Sequence, residues 1–181
     1  MRYILIFLLI VSLIVSPLFS LGKNKDNENA FVYPEKQTYK NLDPRYKNWL
    51  NLVAYITTRE ERNVFLNLTN NRDRDMFINF FWQQRDPIPT TTENEYKSEI
   101  EKRFKYVNQH FSRGSPKPGW KTDMGKLNMI LAKPNSIETF DSKPGLYPAQ
   151  VWYYYGDKTL GLPSYFNITF FKRNGMGEWI L

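Results

Sequence analysis

Three carboxylates stand where they could do chemistry. Asp86, Glu95 and Asp123 each sit beside a turn or a helix start. Gathered into one cleft, they could act as acid and base or hold a hard cation through oxygen ligands. A carboxylate pair can also cleave a glycosidic bond, but that chemistry is set by a separation in space that a sequence does not contain. Other reactions find less material. The chain has one histidine, His110, and no cysteine, so a zinc-type site would have to come from carboxylates almost alone. There is no Gly-x-Ser-x-Gly, no second histidine to serve a nucleophile, and no glycine-rich phosphate loop. No metal and no cofactor is implied.

Each of these groups also has an ordinary local use. Arg85 falls at the end of a helical pattern, where its charge suits the dipole. Glu95 completes a cap, and Asp123, two residues before Gly125, can form an Asx turn. His110 lies near the end of a long helical pattern, where a dipole or surface role suffices. The architectural use is the expectation. A hydrolase or metal-dependent enzyme built on the three carboxylates is the alternative.

The elements that must position these residues are punctuated clearly. Asp43-Pro44 reads as an N-cap with proline at the first helical position, ahead of a stripe of Trp49, Leu50, Val53 and Ala54. Thr58 with Glu61 forms a capping box ahead of Val64, Phe65 and Leu68. Asn70 with Asp73 opens a third helix whose Met76, Phe77, Phe80 and Phe81 face one way and Ile78 and Trp82 another. This should be the most buried helix. Arg85-Asp86-Pro87-Ile88-Pro89 ends it. Thr92 with Glu95 is a further capping box, followed by Tyr96, Ile100, Phe104, Val107 and Phe111 on one face. Arg113, Gly114, Pro116, Pro118 and Gly119 then stop that helix.

Beyond this loop the period changes. Leu127, Met129 and Leu131 alternate as in a strand that ends at Lys133-Pro134-Asn135. Val151 to Tyr155 and Tyr165 to Lys172 are β-branched and aromatic runs. Asn174-Gly175 signals a hairpin returning through Glu178-Trp179-Ile180-Leu181. Helices first and strands after them make an α+β chain. About four N-terminal helices are expected on a small C-terminal antiparallel sheet.

Where the helical half meets the sheet stands Gly119-Trp120-Lys121-Thr122-Asp123. It resembles the signature of the GWxTD domain, a bacterial domain without an established activity. The likeness continues through Phe81-Trp82-Gln83-Gln84-Arg85-Asp86-Pro87, Asn94-Glu95-Tyr96, Arg103, Phe111, Gly125, Pro134 and Val151-Trp152-Tyr153-Tyr154, in that order. It covers roughly Trp49 to Leu181. One departure is Lys133, which stands before Pro134 where the family usually has glycine. The resemblance brings no catalytic residues.

The N-terminus sets the address. Arg2 precedes an apolar run from Tyr3 to Phe19, broken at Pro17, with small residues at Ser20 and Gly22. That is the layout of a secretion signal, cleaved after Gly22 or Ser20. A retained anchor is the alternative, since the run could just cross roughly 30 Å of hydrocarbon. Residues 1–22 are thus read as signal, 23–42 as a polar flexible linker poor in aliphatics, and 43–181 as one domain. Without cysteine there is no lipidated N-terminus, no disulfide and no thiol chemistry. The net charge of +7 is dispersed, and Glu99 and Glu101 lie four residues before Arg103 and Lys105, as paired helix-surface charges do.

Nucleic acid is therefore not an expected partner, and a membrane is one only if the N-terminal segment is retained. The expected role is that of an exported, periplasmic or extracellular, non-catalytic binding or assembly module of the cell envelope. Its partner would be a protein or glycan. Trp120, Thr122, Asp123, Arg85, Trp152 and Tyr154 are the candidate binding residues, with Tyr153 beside them, because Val151 to Tyr155 carries large rings on both faces of its strand.

Overall fold

The computed structural model describes residues 39–141, 146–173 and 177–181. The N-terminal signal, most of the linker and the Asn174-Gly175 turn lie outside the described residues. Among the described residues five α-helices precede a four-stranded sheet, so the α+β class holds. Among the described residues no helix is long and apolar enough to cross a membrane.

Helix α1 (Pro44–Leu52) starts as its sequence demands: Asp43 accepts from the Arg45 N–H at 2.8 Å and Pro44 takes the first position. The expected linker gives up its last residues to the domain. Tyr39–Asn41 form a 3₁₀ turn, the Tyr39 hydroxyl donates to Asn51, and Leu42 is buried in the core. Helix α2 (Arg59–Asn67) carries the full Thr58/Glu61 capping box. Helix α3 (Asn71–Gln83) is capped by Asn70.

The third helix is not the most buried one. Met76 is 56% exposed, and of its residues only Arg74, Phe81 and Trp82 are buried. A ring-rich circumference overstated its burial, because Phe77, Ile78 and Phe80 are only partly buried. Arg74 reaches inward to donate to the Leu68 carbonyl and to Asn71, below the Tyr46 ring.

Helix α4 (Glu95–His110) is the long amphipathic one, and it buries Ile100 and Val107. Its cap is Asn94, not the expected Thr92/Glu95 box. Asn94 accepts from the Lys97 N–H at 2.8 Å and donates to the Trp82 carbonyl at 2.7 Å. This choice satisfies orphan groups at the start of α4 and the end of α3 together, which Thr92 could not do.

The largest correction concerns Leu127 to Leu131. This segment is helix α5 (Asp123–Leu131), not a strand. Thr122 is its N-cap, accepting from the Gly125 N–H at 3.0 Å, so no Asx turn at Asp123 leads into a strand. Helix α5 is also the most buried, with Met124, Gly125, Asn128 and Met129 inside. It stops at Ala132, whose φ of 64° and ψ of −164° fall where residues other than glycine rarely sit.

The sheet is an antiparallel meander of β1 (Ser136–Phe140), β2 (Ala149–Tyr154), β3 (Phe166–Lys172) and β4 (Trp179–Ile180), paired in that order. The register sets Trp152 between Ile137 and Ile168. Trp152, Tyr154 and Phe170 therefore share the inner face with Met124. A second, larger core joins the helices around Trp49, with Phe65 at 4.7 Å and Phe81 at 5.2 Å between ring centroids. Phe111, just past α4, packs against both cores.

Candidate functional site

The signature pentapeptide builds a junction between α4, α5 and the sheet. Gly119 opens a 3₁₀ turn (Gly119–Lys121) pressed against α4, where a Cβ would lie 1.9 Å from the Val107 carbonyl oxygen. Only glycine allows that approach. The Gly119 N–H donates to the Ser112 hydroxyl at 3.0 Å and the Trp120 N–H to Asn108 at 3.3 Å. Trp120 lays its half-buried ring between Tyr55 and Phe104, and the Tyr55 hydroxyl donates to the Trp120 carbonyl at 3.0 Å. Lys121 is exposed, its ammonium 5.0 Å from the indole centroid. Thr122 is buried, donating to the Gly119 carbonyl at 2.7 Å while it caps α5. Gly125 faces that same carbonyl, and a Cβ there would lie 1.8 Å from it.

Asp123 occupies the first turn of α5, where a negative charge meets the positive end of the helix dipole. Its carboxylate accepts from Lys126 Nζ at 3.0 Å and from the Leu181 N–H at 3.3 Å, which ties the helix start to the chain beyond β4. Partial burial pushes this carboxyl upward. The hydrogen bonds from Lys126 and Leu181, with the charges of Lys126 and Lys117, outweigh burial and hold it below the ordinary value.

The three candidate carboxylates do not come together. Asp86 accepts from the Ile88 N–H at 3.1 Å in its own turn. Glu95 accepts from the Thr91 hydroxyl at 2.7 Å at the start of α4. The junction that holds Asp123 packs on Val107 and Asn108 of the same helix, roughly 18 Å farther along its axis at 1.5 Å per residue. Among the described residues no group of three His, Cys, Asp or Glu side chains could hold a metal ion.

The candidate binding residues also turn inward. Trp152 and Tyr154 are 1% and 4% exposed and belong to the inner face of the sheet, so they line no surface. Burial pushes the Tyr154 hydroxyl up to about 12. Arg85 is committed at the end of α3: it donates to the Phe81 carbonyl at 3.1 Å and to Glu61 at 2.7 Å. Alternation along β2 does leave rings on the other face, where Tyr153 stacks on Tyr165 and Tyr155 is exposed.

What the junction leaves open is a cleft of about 320 Å³ beside it. Phe111, Met124 and Trp179 give it apolar walls, His110, Arg113 and Lys172 give it basic ones, and Glu178 an acidic one. Sequence reasoning passed over Arg113, Lys172 and Trp179, which are far apart in the chain. No local spacing signals their meeting.

A junction in which Gly119, Trp120, Thr122 and Asp123 each have a distinct structural use accounts for a whole signature, and the GWxTD domain matches this chain over residues 18–176. The chain belongs to the GWxTD domain family. No curated protein and no solved structure matches it. In this GWxTD chain four of the five signature residues are structural, and Lys121 alone is exposed.

Proposed function

We propose that this chain is an exported, non-catalytic binding or assembly module of the bacterial cell envelope. The observation that carries the reading is the contrast at the junction: the signature side chains are spent on packing and capping, and the concave surface beside them is open. A binding role needs such a surface and no convergent acid and base. The three carboxylates stand apart, each engaged by its own partners, which favours binding over a hydrolase. Export is supported by the apolar run behind Arg2 and the small residues at Ser20 and Gly22. Periplasm or cell surface is the proposed address, and a protein or glycan the proposed partner.

The test is fractionation of the full chain carrying a C-terminal tag, with sequencing of its N-terminus. The expected product begins near Lys23 and is found outside the cytoplasm. An intact chain spun down with the membranes would replace the free module by a tethered one. Unprocessed chain in the cytoplasm would overturn the export reading.

A further inference from the structure

The charges around the junction cleft do not cancel. Two acidic groups stand at it, Glu178 in its wall and Asp123 beside it, and both are occupied. Glu178 is 3.3 Å from Lys117 Nζ and accepts from the Ser115 hydroxyl at 3.2 Å. Asp123 is 3.0 Å from Lys126 Nζ. That leaves Arg113 and Lys172, which form no ion pair among the described residues although both line the cleft. The Lys172 ammonium is held 4.8 Å from the Trp179 ring centroid, so its charge stays at the wall. His110 is oriented as well: its Nδ1 faces the Tyr106 carbonyl oxygen at 2.9 Å, which leaves Nε2 for another partner. Thr122 and Met124, at the start of α5, also line the space.

We propose that this cleft binds an organic oxyanion, a carboxylate or phosphate group carried on an apolar body. Arg113 and Lys172 would take the charged oxygens, Arg113 through its planar fork of donors. Trp179, Phe111 and Met124 would cover the apolar part, and about 320 Å³ is room for a small molecule or the end of a larger one. The proposal rests on the binding-module reading for its setting but not for its test.

Titration of the full chain at low salt with benzoate, phenyl phosphate and inorganic phosphate reads it directly. Tryptophan fluorescence and amide chemical shifts serve as observables. Saturable binding of the two aromatic anions is expected in the millimolar range, with shifts at Arg113, Met124, Lys172 and Trp179, and inorganic phosphate should bind about tenfold more weakly. The Arg113→Gln, Lys172→Gln double variant should weaken binding about tenfold or more. Arg113→Gln alone, at an exposed position that leaves the fold intact, should weaken it several-fold.

No saturable binding up to about 20 mM, or affinities unchanged in both variants, overturns the proposal. Equal binding of all three anions overturns the apolar half of it. A chain that stays in the cytoplasm yet binds benzoate sinks export and keeps the cleft. An exported chain that binds none of the three does the reverse.

Discussion

Asp123 is a residue whose charge has a direction to its effect. Its folded carboxyl ionises below the ordinary value of 3.8. A group depressed on folding contributes stability that is complete above its unfolded value and is lost as pH falls through the folded one. Urea denaturation of the protein and of Asp123→Asn should therefore give stabilities about 1 kcal/mol apart at neutral pH, converging as the pH drops from about 5 to 2. A gap that stays constant through the acid range would show that the carboxylate's charge is not what matters there. The neighbouring residues divide the labour differently. Gly119 and Gly125 admit no side chain at all, and Thr122 serves the turn behind it and the helix ahead of it with one hydroxyl.

At the scale of elements, α5 explains both a strain and a misreading. Ala132 ends it at a φ of 64°, a conformation that costs an L-residue about 1 kcal/mol or more and glycine very little. Ala132→Gly should raise stability by about 1 kcal/mol and the melting temperature by about 3 °C. A lower melting temperature would mean that the Cβ packs well enough to outweigh the strain. The helix itself was hidden because two of its four buried positions are Gly125 and Asn128. Without them Leu127, Met129 and Leu131 stand at alternate positions as in a strand, although Ile130 between them is apolar too.

Where polar signals were local, the sequence was legible. The caps at Asp43, Thr58 and Asn70, the stripe of α4 and the runs of β2 and β3 all stand in the structure. Strand β1 was not legible, because all five of its residues are exposed and no burial pattern marks them. Of the candidate site, the junction was visible as a motif. The cleft was not, since it joins the end of α4, the start of α5 and the last two strands, and such proximity exists only after folding.

For the whole molecule, Phe111 is the hinge of cohesion. It reaches the helical core through Tyr106 at 5.7 Å and the sheet core through Trp152 at 5.8 Å. Phe111→Ala should cost about 2 kcal/mol or more and loosen the coupling between the cores. In native-state hydrogen exchange the amides of Trp152 and Phe170 should then lose more protection than those of Val53 and Val107. Equal losses at all four would show that the two cores stay one cooperative unit without the bridge.

The sheet begins at an edge, and that edge has a consequence for how this protein behaves in a crowd. Along Ser136–Phe140 one side of β1 has no strand beside it among the described residues, while Ile137 and Phe140 are about half exposed. Such a ladder is a template on which another extended chain can pair. Glu138 is the only charge in those five residues, and it is held upright by the Tyr153 hydroxyl at 2.8 Å. Along that edge Glu138 is therefore the one charged side chain set against the pairing of another extended chain.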